Sequence, residues 1–229
     1  MNLQNFLVNT RLVLKDVGVK TLPDPLLVTF ANEGKNELYR LIRSTRTDYF
    51  LTSSNMTMSA GTPPAPNIIT LPADFSQLKD MLCTTLSVTG LTFSNPTAIQ
   101  FLGWDRNDVV FKSLMRSTLS VTDGVGLIMF FDVIGSTEIQ VVPCLGTSGS
   151  ATVAVNYVAV PADMVVPADT PSTIPAEYHP FITNYMIAEA MRATGDQRLG
   201  AYDSKVTALR ESIGKSVSTR ALGQPQERP

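Results

Sequence analysis

Histidine occurs once in this 229-residue chain, at His179, and cysteine twice, at Cys83 and Cys144. A hydrolase triad needs a base within hydrogen-bond reach of its nucleophile, and only His179 could serve. No Gly-x-Ser-x-Gly elbow accompanies it, and GTSGS (Gly146 to Ser150) lacks that spacing and reads as a hairpin loop. With no second histidine and no close cysteine pair, zinc has no ligand set. Both glycine-rich phosphate cradles are missing, and Gly124-Val125-Gly126 reads as a turn. His179 is therefore expected to cap or pack a helix. Asp105 and Asp108 are expected to form a solvated face, and no enzyme activity, catalytic residue, cofactor or metal is expected.

Charge is scarce too. Charged residues make up 17% of the chain and the formal net charge is −2, far from the basic footprint of a protein that grips nucleic acid through phosphates. A weakly acidic balance suits partners that are other proteins. Long apolar runs are lacking: the longest, VGLIMFFDVI (Val125 to Ile134), is ten residues and contains Asp132. Crossing a bilayer takes about 20 apolar residues, so this run reads as a buried strand and no membrane partner is expected. MNLQNFLVNTRLVLKDVG has neither the basic start nor the cleavage site of a signal peptide. Without one, the two cysteines are expected to be reduced and buried, and the sequon Asn55-Met56-Thr57 to be chance.

What is present is a chain with 44% hydrophobic residues, enough for one large domain or two small ones. Leu3, Phe6, Leu7, Val13, Leu14 and Val17 follow helical spacing, with Asn2 as N-cap and Gly18 as stop. A second helix is expected from Pro25, capped by Asp24, with Leu27, Phe30, Ala31, Leu38, Leu41 and Ile42 on one stripe. Its end, RLIRSTRTDYF, carries three arginines that suit a helix C-terminus. The period then changes. SAGTPPAPN is a loop, and LPADFSQLKDML reads as a strand end followed by a helical turn. A short helix is expected in GWDRNDVVFKSLMRS, capped near Asp105. Strands are expected at Leu127–Ile134, Glu138–Val142 and Ala151–Val160, with Gly135-Ser136 turning the first hairpin. Helix returns after Pro175, capped by Ser172 or Thr173, with Tyr178, Phe181, Ile182, Tyr185 and Met186 on one face. Gly195 ends it. Leu199, Tyr202, Val206, Leu209 and Ile213 then mark a closing helix, and a polar tail follows. No internal repeat is evident. The expected fold is α+β: a helical bundle from residues 1–48 and 172–213, an inserted antiparallel β region over 49–171, and an extended tail over 214–229.

Three features in this order resemble the head-to-tail adaptor (connector) proteins of tailed, podovirus-like bacteriophages. They are Leu71-Pro72-Ala73-Asp74-Phe75, Tyr157 in VNYVAVP, and the pair Pro175 and Tyr178 opening a helix rich in tyrosine, alanine and methionine. The resemblance implies a structural virion protein at the head–tail interface, assembled in the host bacterial cytoplasm. Such adaptors form a homo-oligomeric ring, most often of twelve subunits, beneath the portal protein and above a tail or nozzle protein. The genomic DNA passes through without specific binding during packaging and ejection. TLSVTDGVG (Thr118 to Gly126) is a candidate loop contact between subunits. The relatives also imply a C-terminal segment that reaches the portal, and an unfolded tail can order on binding. Lys215, Val217, Arg220, Ala221, Leu222 and Arg228 are the candidate portal-binding residues, their cations set against the single acid Glu227. A different class remains open: a small β-rich module on a helical base that binds carbohydrate or a tail fibre.

Overall fold

Asn2 accepts a hydrogen bond from the Asn5 N–H at 2.9 Å and so opens α1 (Leu3–Leu14), as an N-cap should. The computed structural model describes residues 1–15, 21–88, 91–94, 99–119, 127–147, 149–171 and 173–221. The chain divides into two units, residues 1–50 with 160–229, and residues 51–159.

In the first unit α1 buries Leu3, Phe6, Leu7 and Thr10 and ends at Lys15, whose φ is 59°. The expected stop, Gly18, lies outside the described residues. In α2 (Asp24–Thr45) Pro25 sits in the first turn, where its missing N–H costs nothing. Asp24 is the first helical residue rather than the cap; its carboxylate takes the guanidinium of the buried Arg11 instead. Leu27, Ala31, Leu38 and Ile42 are wholly buried. A side chain at Gly34 would meet the Tyr185 ring at 3.0 Å, so glycine allows this close approach. After a 3-10 turn (Ala176–Tyr178), α4 (His179–Thr194) begins without a side-chain cap and ends at Gly195 in the left-handed region. Ser172 lies outside the described residues. Phe181, Ile182, Met186, Ala190 and Met191 are wholly buried, and α4 touches α1, α2 and α5 (Leu199–Ala221).

The last helix corrects one expectation. Residues 214–221 continue α5 rather than forming an extended tail. Val217 extends the spacing of Val206, Leu209 and Ile213 by one more turn and is wholly buried, so the apolar stripe carries the helix through its polar neighbours.

The second unit is one eight-stranded sheet in the order β4-β3-β8-β1-β2-β7-β6-β5. The strands are β1 (Leu51–Ser59), β2 (Asn67–Thr70), β3 (Phe75–Val88), β4 (Leu91–Ser94), β5 (Ile99–Gly103), β6 (Leu127–Ile134), β7 (Glu138–Val142) and β8 (Ser150–Ala159). Among the described strands the pairing is antiparallel as expected, except that β5 and β6 pair in parallel. A parallel pair needs a crossover, and the chain between them supplies it with α3 (Val109–Leu114), capped by Asp108 rather than Asp105. The expected helical turn in LPADFSQLKDML is strand β3. Three register shifts along β3 interrupt its two-residue period, which is why Leu78, Met81 and Leu82 imitate helical spacing. Bulges of this kind also bend a strand. β5 returns to contact β3, so the sheet curls around a single core of Met58, Ile69, Met129, Ile139, Val153 and Val155. Buried Asn67 locks the rim: its Oδ1 accepts from Gly61 and Leu145 N–H, and its Nδ2 donates to the Val141 and Pro143 carbonyls.

Residues 160–171, grouped with the β region by sequence, belong to the helical unit. Side chains of α2 hold them there.

Candidate functional site

His179 is 5% exposed. The nitrogen of Met1 donates to its Nδ1 at 2.9 Å, so its Nε2–H donates to the Ile174 carbonyl at 3.1 Å. Phe6 meets the ring edge-on. Both nitrogens are thus engaged in joining the start of α1 to the start of α4. Burial pushes the His179 pKa down, partly offset by the Ile174 acceptor. The unfolded chain therefore binds a proton more readily than the folded one. As pH falls below the ordinary histidine value of 6.5, this residue should withdraw stability. His179→Gln should reduce that acid sensitivity in melting curves at pH 5 to 7 and leave assembly unchanged. Loss of assembly with intact folding would give His179 a role beyond packing.

The free cysteines are both buried. Burial raises the Cys83 thiol to about 11, which leaves little thiolate to act as a nucleophile. Cys144 gives its Sγ–H to the Ala65 and Met115 carbonyls.

The residues that carry the resemblance converge. Tyr157 on β8 donates its hydroxyl to Asp74 at 3.1 Å, and its ring lies 5.7 Å from that of Phe75. Burial and the Asp74 carboxylate hold the Tyr157 hydroxyl protonated. LPADF and VNYVAVP are therefore two sides of one joint between β3 and β8. In the helical unit, Tyr178 and Ser216 share a hydroxyl hydrogen bond at 2.9 Å, which fixes the last turns of α5 against the start of α4.

A second joint has no signal in local sequence. Lys35 on α2 is wholly buried, and its ammonium donates to the carbonyls of Pro161 (3.1 Å) and Ala162 (2.8 Å) and to the Asp163 carboxylate (2.6 Å). One turn away, Asn32 exchanges two hydrogen bonds with the backbone of Met164. The motif Val160-Pro161-Ala162-Asp163 recurs as Val166-Pro167-Ala168-Asp169, a short internal repeat that corrects the expectation of none. In the second copy Asp169 accepts from Val165 and Val166 N–H, while the Pro167 and Asp169 carbonyls accept from Gln4 and Leu3 N–H. The first copy thus binds α2 and the second binds α1.

The structure separates the six tail residues. Lys215 is exposed on α5, and Val217 is buried in the core of the helical unit. Arg220 and Ala221 lie in the last turn of α5. Leu222 and Arg228 lie outside the described residues, as does most of TLSVTDGVG. Of the arginines ending α2, Arg46 pairs with Asp48 at 3.0 Å. Asp105 and Asp108 are exposed, and their carboxylates accept from the backbone N–H groups of Asn107 and Val110. Among the described residues no helix is long and apolar enough to cross a membrane.

The family model described as SU10 adaptor protein matches residues 1–229. No curated protein matches the sequence.

Proposed function

Because the chain belongs to the SU10 adaptor protein family, whose members are structural components of the phage virion, we propose that it works as a head-to-tail connector ring. In this reading α1, α2, α4 and α5 form a bundle, and copies close head-to-tail beneath the portal, extending the DNA channel toward a tail or nozzle protein. The observation that carries the reading is the span of the family match, which takes in both units and the closing helix. A carbohydrate- or fibre-binding module would leave the helical unit without a task. The role is mechanical, with no catalytic step and no cofactor. A net charge of −2 suits a conduit, since like charge keeps DNA from adhering to the wall.

The portal contact falls to the segment beyond the core of α5, with Arg220, Leu222 and Arg228 as its principal groups. Val217 and Ser216 hold the fold together, so a truncation that tests docking must spare them. Deleting residues 222–229, which removes Leu222 and Arg228 but keeps Arg220, should leave melting and ring size as in the full chain while sharply weakening copurification with portal protein. A truncated chain that still binds portal with full affinity would move the contact into the folded units.

A further inference from the structure

No charged residue stands between Asp48 and Asp74, between Asp80 and Asp105, or between Glu138 and Asp163. In a chain with 17% charged residues, those three runs set part of the β unit apart, and the fold lays them side by side. β1 pairs with β8, and β8 with β3. The inward side chains of β8, such as Val153 and Val155, are core. The outward ones meet β1 in rows: Asn156 beside Ser53, Ala154 beside Asn55, and Thr152 beside Thr57. On the other flank of β8, Leu82 stands beside Ala154 and Thr85 beside Thr152. Ser53, Asn55, Thr57, Leu82 and Thr85 are exposed. The result is a face of hydroxyl, amide and aliphatic groups, with only Asp80, beside Asn156, and its neighbour Lys79 for charge.

What such a face does follows from what it lacks. Contacts between protein chains are anchored by tryptophan, tyrosine or arginine, and Ser53, Asn55, Thr57, Thr85, Thr152 and Asn156 include none of them. A surface that grips DNA draws its affinity from lysine and arginine, which release counterions from the phosphates. Neutral hydroxyls and amides exchange water for phosphate oxygens with little net gain. Duplex DNA can therefore slide along this face without being held. The exposed sides of the helices fit that task less well, because Arg40 on α2 and Lys205 and Lys215 on α5 put cations there.

We propose that the outward face of β1, β8 and β3 is the wall of the DNA channel, and that its partner is duplex DNA that passes without being bound. The inference rests on the ring reading and deepens it, since it says which surface the closed ring turns inward. Ring closure repeats the face around an axis, so cations added to it on one chain would become a collar of positive charge.

The full-length variant carrying Asn55→Lys and Thr57→Lys builds that collar. Both positions are exposed, so the variant should melt as the wild type does and form rings of the same size. Preformed variant rings should hold a linear duplex about tenfold or more tightly than wild-type rings, with the gain falling as salt rises. A closed circle of the same sequence cannot thread a finished ring, so it should show no gain. Equal gains on linear and circular DNA would place the face outside the ring and overturn the proposal. So would no gain on either, or a folded variant that no longer closes into rings, which would make the face a subunit contact. All three results leave the ring reading standing. Asn55→Cys asks the same question with a smaller change, because both native cysteines are buried. A maleimide should label it in emptied particles and not in DNA-filled ones; equal labelling of the two would overturn the wall. Wild-type chain that stays monomeric both free and on purified portal would overturn the ring reading and the wall together.

Discussion

Phe181→Ala should lower the stability of the helical unit by about 3–5 kcal/mol, measured as a shift in denaturant midpoint. Phe181 has no solvent exposure and lies on α4, the helix that touches α1, α2 and α5. Its ring also stacks on Tyr185 at 6.2 Å, and Tyr185 is the residue that closes on Gly34. The cavity left by alanine would therefore open beside the close approach of Tyr185 to Gly34, where neighbours have little room to collapse inward. The cost should fall toward the upper end of the range. Val165→Ala, at a side chain 74% exposed, is the control and should cost less than about 0.5 kcal/mol. Equal shifts for the two variants would mean that α4 is not the centre of the core.

Lys35→Ala should cost about 2–4 kcal/mol. It removes a buried aliphatic stem and leaves the Pro161 and Ala162 carbonyls without their donor. The charge term adds little, because the Asp163 side chain is 65% exposed and water serves it once the ammonium has gone. Lys35→Met restores the stem but not the donor, so it should recover about half of the loss. Asp163→Asn keeps an acceptor oxygen and should cost about 1 kcal/mol or less. The predicted order of stability is Asp163→Asn, then Lys35→Met, then Lys35→Ala. Limited proteolysis should follow that order by cutting within residues 160–171. Lys35→Met at wild-type stability would show that Asn32 alone secures the segment.

The helices were legible in sequence because their apolar residues recur within a few positions. Phe181, Ile182 and Met186 give the face of α4, and Gly195 marks its end. The last turn of α5 follows the same code, since Val217 follows Ile213 at four, but polar neighbours surround it there. The β unit was legible only as a set of strands. Pairing β5 with β6 in parallel depends on where the chain goes between them, which no local period records. The bulges of β3 replaced a period of two with an imitation of helix. Lys35 was invisible for a plainer reason. Lysines are rarely buried, and the Asp163 that accepts this one stands 128 residues along the chain. Of the candidate docking residues, charge and polarity pointed to Lys215 and Arg220, but only packing could show that Val217 is already taken.

The segment of residues 160–171 ties together two ends of the chain that are made far apart in time. α1 and α2 leave the ribosome first, with Leu27, Ala31, Leu38 and Ile42 on α2 awaiting a cover that α4 supplies only after residue 179. At about 5–20 residues per second, the wait is on the order of ten seconds. During it the β unit can close on its own core, since its partners all lie within residues 51–159. The nascent helices meanwhile are an adhesive pair beside a finished neighbour. Production of this protein should thus depend on chaperones that shield residues 1–50, and a chain interrupted after the β unit would be a source of aggregation rather than a spare subunit.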